Sequence, residues 1–210
     1  MSRIAFIVVI AALFSHGTLG ASRMHSWVPG NDASVSDQLV AKFRSKYSDL
    51  KSVSFSFSSS SGKGTLRAVR DKGFRIEFPG TVIVSNGKVV WHVQARTKTV
   101  VINKVSEASD ELGIERIFFA LLHVYTPTVI KQSKSSSHIL LKPPSAEATI
   151  AGVDKAVVEL NSSFDVTRIE VFSGPSSTSW EITSLKKNGV IPTSVFTYKP
   201  PSGWTVVDLR

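Results

Sequence analysis

The sequence predicts a mainly β protein with helices (α+β): an open, strongly curved antiparallel half-barrel of about eleven strands, with a helical lid over an apolar cavity. Three observations carry this. Short segments with period-two alternation follow one another from Val53 to Ile102, separated only by turn residues. One amphipathic helical segment precedes the strands and one densely apolar segment interrupts them, rather than helices alternating with strands. Last, an arginine, Arg70, ends an otherwise apolar strand face.

The first helix is expected over Ser36 to Leu50, capped by Ser34 or Ser36, with Asp37 in the first turn, where the helix dipole favours negative charge. Leu39, Val40, Phe43, Tyr47 and Leu50 recur at helical spacing and define its apolar stripe. The strands begin with Ser52–Ser58, which places Val53, Phe55 and Phe57 on one side and serines on the other. In Gly64–Arg70, Leu66, Ala68 and Arg70 share a face; in Phe74–Phe78, Phe74, Ile76 and Phe78 do. Hairpin tips fall at Ser60–Lys63, Asp71–Gly73, Pro79–Gly80 and Asn86–Gly87, the last being the strongest two-residue hairpin signal. Strands are expected over 81–85, 88–94 and 99–103.

Ser109 to Leu122 then reads as a second helix, with an acidic first turn and Ile117, Phe118, Leu121 and Leu122 on its apolar side. Pro127 bounds it, and 126–133 reads as a short helix or irregular stretch. Strands resume over 138–142, 149–151, 155–160, 166–172, 179–187 and 194–198. So long an antiparallel sheet must curl, and helices laid on its concave side cover a hollow.

Composition narrows the function. Ile4 to Phe14 form an apolar run after Arg3, followed by small residues, which is the layout of a secretory signal peptide over residues 1–20. A single exported, soluble domain is expected over residues 21–210, with Ala21 to Ala33 as a mobile leader. Cysteine is absent, so disulfides, thiol chemistry and a lipidated cysteine are excluded. The formal charge of +9 is spread along the chain, which suits anionic membranes or acidic partners rather than nucleic acid.

No catalytic or metal-ligating pattern stands out. His16, His25, His92, His123 and His138 lack ligand spacing, and Gly62–Thr65 lacks the upstream glycine of a phosphate loop. Asn161-Ser-Ser163 is a glycosylation sequon by pattern only. We therefore expect no enzyme, no cofactor and no metal. The apolar face formed by Phe55, Phe57, Leu66, Phe74, Ile76, Phe78, Trp91, Leu140 and Val171 reads either as ordinary core or as the wall of a binding cavity. An arginine at its margin needs acceptors, and its five fixed donors suit a contact that can be made and broken.

These residues resemble the periplasmic outer-membrane lipoprotein carriers, the LolA family. The resemblance rests on Gly64-Thr-Leu-x-x-x-Arg70-x-x-x-Phe-Arg-Ile-Glu-Phe78, on Ile83-Val-Ser-Asn-Gly-Lys-x-x-Trp91, and on Val195-Phe-Thr-Tyr-x-Pro-Pro-x-Gly-x-Thr-Val-x-Asp208. It implies a half-barrel closed by a lid made of Leu39, Phe43, Tyr47, Ile117, Phe118, Leu121 and Leu122, with Arg70 as the latch bonding to lid backbone. Where the family usually has proline after that arginine, this chain has Asp71, and its first hairpin is shorter. The resemblance also implies lipidated proteins as cargo, bound by their acyl chains. It further implies an inner-membrane ATP-driven lipoprotein-releasing transporter as source, an outer-membrane acceptor and a monomeric carrier. Two other readings of the same fold are a lipid-sensing regulatory module and a carrier of another lipid.

Overall fold

The computed structural model describes residues 32–105, 117–150 and 152–210. The signal-peptide reading, the leader up to residue 31 and the start of the second helix lie outside the described residues, whereas Asp32 and Ala33, expected in the leader, already belong to helix α1. Helix α1 spans Asp32–Ser48 and therefore runs through Ser34 and Ser36, neither of which caps it. No glycine or proline lies between Asp32 and Ser48 to break the turn earlier.

Twelve strands form one sheet: β1 Ser52–Ser59, β2 Gly62–Val69, β3 Gly73–Phe78, β4 Thr81–Ser85, β5 Val89–Gln94, β6 Thr99–Lys104, β7 Thr126–Gln132, β8 Ser136–Lys142, β9 Lys155–Asn161, β10 Val166–Ser173, β11 Ser176–Lys187 and β12 Thr205–Asp208. Their spatial order is β12-β6-β5-β4-β3-β2-β1-β11-β10-β9-β8-β7. Two meanders thus meet where β1 pairs with β11, and every pairing is antiparallel except that of β12 with β6. The result is the open, curved half-barrel expected.

Several elements differ from the sequence reading. Residues 126–132 are a strand, because β7 is an edge where Pro127 has no ladder bond to lose. Residues 194–198 are not a strand: Thr193–Phe196 is a 3-10 turn that follows Pro192 and packs on β3. Of the strand expected at 149–151, Ile150 forms an isolated bridge with Val153, and residue 151 lies outside the described residues. The Asn86–Gly87 turn takes Lys88 as a third residue, and Asn86 Oδ1 accepts from the amides of Lys88 (3.0 Å) and Val89 (2.9 Å). Gly73 has φ +148°, and a Cβ there would meet Ser85 O at 2.1 Å, so β3 can leave the Asp71 turn only through glycine.

Register separates the two faces of the sheet. Phe55, Leu66, Ile76 and Ile83 stand opposite one another across β1 to β4. Ile169, Val158, Ile139 and Val129 do the same across β10 to β7. Phe57 opposite Ile182 joins the two rows into one large apolar cluster on the concave side. The other face is polar in its middle. Arg168 there pairs with Glu181, with Glu159 (3.7 Å) and with Glu170 (3.7 Å), while Glu77 takes Arg75 at 2.5 Å.

Two expected cavity residues lie on that outer face. Trp91 stands opposite Val84 and Ile102, in line with Arg75, and belongs to a second apolar cluster of Val82, Val93, Val100 and Ile102 covered by Tyr198 and Trp204. Leu140 alternates with fully buried Ile139 and Leu141 and so points the opposite way. In both places the chain is apolar on successive residues, so alternation alone does not say which face is concave.

Gly64 lies opposite Phe57, and a Cβ there would sit 2.6 Å from the Phe57 ring and 2.7 Å from Glu77 O. Gly64→Ala is expected to cost about 1–3 kcal/mol of stability, read from urea melts, because backbone on one side cannot yield.

Candidate functional site

The concave face is covered by two helical pieces. α1 contributes Phe43 and Tyr47, both essentially inaccessible to water, and partly buried Leu39, and equally buried Leu50 follows just beyond its end. A π-helical turn at Ile117–Leu121 runs into a short α-turn at Leu122–Val124 and contributes Phe118, Leu121 and Leu122; the Ile117 side chain lies outside the described residues. These side chains form one cluster with Phe55, Phe57, Leu66, Ile76 and Val171 of the sheet, and partly buried Phe74 and Phe78 pack against it. Phe118 meets Phe55 with ring centroids 5.1 Å apart, and Phe57 meets Phe78 edge-on at 5.3 Å. An open depression of about 580 Å³ beside Gly64 and Pro79 touches Phe57 and Phe78, but Ser56, Thr65, Glu77 and Thr183 line it from the outer face, so it is not a space beneath the lid. Of the expected cavity and lid residues described, only Trp91 and Leu140 fall outside this assembly. Sequence reading missed Ile139, Leu141, Val158, Ile169 and Ile182, which extend the apolar face across the second meander.

Polar contacts fix the lid at few points. Tyr47 Oη donates to Phe164 O (3.2 Å) and accepts from Val166 N (3.0 Å), tying α1 to the β9–β10 turn. Burial pushes this phenol far above its ordinary range, so it stays a donor at every working pH. Lys46 (3.0 Å) and Lys187 (2.8 Å) share Asp165 Oδ1. Withdrawal from water works against it, but hydrogen bonds from Lys187 and then Lys46 hold the Asp165 carboxyl below the usual carboxylate range. That tether is present above the unfolded carboxylate pKa and is lost as acid titrates Asp165. Removing the phenol leaves a buried amide unpaired, so Tyr47→Phe is expected to lower stability by about 1–3 kcal/mol in urea melts.

Arg70 stands at the end of β2, partly buried, with its own amide donating to Lys51 O (2.8 Å). Its guanidinium reaches the second helical piece: Nη2 is 2.6 Å from His123 Nε2, and Cζ lies 5.7 Å from the centre of the Phe119 ring. The described hydrogen bond is therefore to a lid side chain, where the sequence reading places lid carbonyls. Nε is buried and, among the described residues, is the one such side-chain atom without a hydrogen-bond partner. Sequence reading leaves His123 among the scattered histidines. Its signal is its spacing of four from Phe119, which puts both on the helix side that meets Arg70.

The family of the outer membrane lipoprotein carrier protein LolA matches residues 37–199, from within α1 to beyond the 3-10 turn. The chain belongs to the LolA family. A comparison with curated proteins finds no match. Among solved structures, an uncharacterized conserved protein from Thermus thermophilus is similar with a TM-score of 0.51 at 12% identity, over 82% of this chain and 98% of that one. It shares the fold. The Mycobacterium tuberculosis lipoprotein LppX is similar with a TM-score of 0.43 at 11% identity, over 75% of this chain and 100% of that one. In this LolA-family chain, the Arg70 motif, strands β1 to β11 and the Phe118 lid piece fall inside the matched segment, and β12 lies beyond it.

Proposed function

We propose that the protein is a soluble periplasmic carrier, exported by a cleaved signal peptide. It binds the acyl chains of lipoproteins on its concave face and ferries them from the inner to the outer membrane. The observation that carries this reading is the construction of the interior. The concave face is buried largely by two separate helical pieces that, among the described residues, are held at a few polar contacts, so it can be uncovered without breaking the sheet. An uncovered face of that size needs an occupant or a cover, because exposed apolar patches this large are an aggregation hazard.

The energetics call for such a carrier. Each methylene brought into water costs about 0.8 kcal/mol, so a sixteen-carbon chain costs on the order of 12 kcal/mol to extract from a bilayer. Loading draws on an inner-membrane ATP-driven transporter, and unloading runs to an outer-membrane acceptor that holds the chains more tightly. The protein itself makes and breaks no bonds. Arg70 biases the lid toward closure, and cargo shifts the balance only through its higher affinity for the open form.

The test is depletion in the native host. Loss of the carrier strands outer-membrane lipoproteins at the inner membrane, which membrane fractionation reads directly. Loss of a lipid-sensing regulator instead alters expression while lipoproteins still reach the outer membrane, and that outcome would overturn the carrier reading.

A further inference from the structure

His123 meets the latch in a way that only one protonation state allows. A guanidinium donates hydrogen bonds and stays charged at every working pH. The 2.6 Å contact from Arg70 Nη2 therefore requires a lone pair on His123 Nε2, and so a neutral ring carrying its proton on Nδ1. A protonated imidazole presents N–H on both nitrogens and would set two cations against each other. We propose that His123 is the positioning residue for the Arg70 latch and that its protonation frees Arg70, so that acid favours the open, cargo-accepting form. This rests on the carrier reading above, since the lid must open for the latch to matter.

The surroundings support it. Among the described residues, the charged group that reaches His123 is Arg70. α1 packs against the Leu122–Val124 turn, but its cations are directed elsewhere, Lys46 to Asp165 and Lys42 over the Phe164 ring. Asp37 and Arg44 of α1, Asp49 just after it and Asp71 of the β2–β3 turn occupy exposed positions. Among the described residues, no carboxylate offsets the meeting of the two bases. Partial withdrawal from water, then repulsion by the Arg70 charge, holds His123 below the ordinary imidazole value of 6.5. His123 is exposed overall, so solvent screens the pair and the effect is a bias rather than a lock.

The sign follows from proton counting. Lid down, the ring is held neutral; lid up, it titrates as an ordinary histidine. The lid-down form thus binds fewer protons. It is fully favoured above the ordinary imidazole range and loses ground as pH falls through 6.5 toward the depressed value.

The test uses the mature chain, a fluorescent fatty acid as probe, and the variants His123→Gln, His123→Ala and Arg70→Leu. Glutamine can offer Arg70 an acceptor oxygen at every pH, whereas alanine offers none. For the wild type, probe affinity is expected to rise about three- to tenfold between about pH 7.5 and about pH 5.5. His123→Gln should stay near the neutral wild-type value throughout. His123→Ala should bind tightly at both pH values, as Arg70→Leu does. A His123→Gln profile that rises like the wild type's, or a neutral His123→Ala affinity equal to the wild type's, overturns the inference. If the probe binds none of the proteins at any pH, it is the carrier reading that fails, and imidazole nitrogen NMR still decides the role of His123. A proton on Nδ1 at neutral pH, with a pKa that rises in Arg70→Leu, supports it. A proton on Nε2, or a titration indifferent to Arg70→Leu, sinks it.

Discussion

Arg70→Leu is expected to load acyl chains as readily as the wild type and to surrender them to acceptor membranes about tenfold more slowly. The reasoning starts from the lid-down contacts. Arg70 joins the sheet to the second helical piece through His123 and lies beside Phe119, and these contacts require the lid to be down. A hydrogen bond with a charged partner contributes about 1.5–3 kcal/mol, and exposure at His123 reduces that. About 1.4 kcal/mol is a factor of ten in an equilibrium constant, so the closed form loses about that much ground. Leucine keeps an apolar contact with Phe119 while removing the charge, which separates electrostatics from packing. Release slows because the closed, empty state no longer competes with cargo for the lid. The measurement is the rate at which labelled lipoprotein leaves the purified carrier for acceptor vesicles. Equal rates in variant and wild type would remove Arg70 from the mechanism.

Phe118→Ala should have the largest effect on stability, and its two readouts should move in opposite directions. Phe118 is fully buried and packs its ring, tilted by 41°, against Phe55 across the lid–sheet boundary. Truncating a core phenylalanine costs about 3–5 kcal/mol, a large part of the roughly 5–15 kcal/mol that holds a typical domain together. Much of that cost falls on the lid-down form, because that form is where Phe118 meets the sheet. Urea melts should therefore show the loss, while affinity for a fluorescent fatty acid holds or rises. A Phe118 that serves only as ordinary core would lower both together.

The same distinction explains what can be read from the chain beforehand. Alternation in β1 to β3 marks Phe55, Phe57, Leu66 and Ile76 as one face, because serines and charges occupy the other side. Trp91 is misplaced by that reading because Val89, Trp91 and Val93 look like core wherever they point. Their burial comes from Tyr198 and Trp204, residues far away in sequence that cover the outer face. Leu140 is misplaced because Ile139, Leu140 and Leu141 are apolar on both faces, and only pairing with β7 and β9 fixes their direction. The four-residue β12 carries too short a pattern to distinguish it from a tail, and its parallel pairing with β6 is set by tertiary contact. Arg70 is legible as a charge at the end of an apolar row. Its partner His123 is not, since histidine spacing signals metal sites and says nothing of a lone ring facing a guanidinium across 53 residues.

If acyl chains occupy the concave face beneath the lid, the two apolar clusters on opposite sides of the sheet should respond differently to cargo. Methyl NMR of the mature chain, titrated with a triacylated lipopeptide, reports both clusters in one spectrum. Cargo beneath the lid is expected to shift Leu66, Ile76 and Ile169, with Val82, Val100 and Ile102 on the outer face left in place. Shifts confined to the outer-face methyls, or none at saturating lipopeptide, would contradict that placement of the cargo.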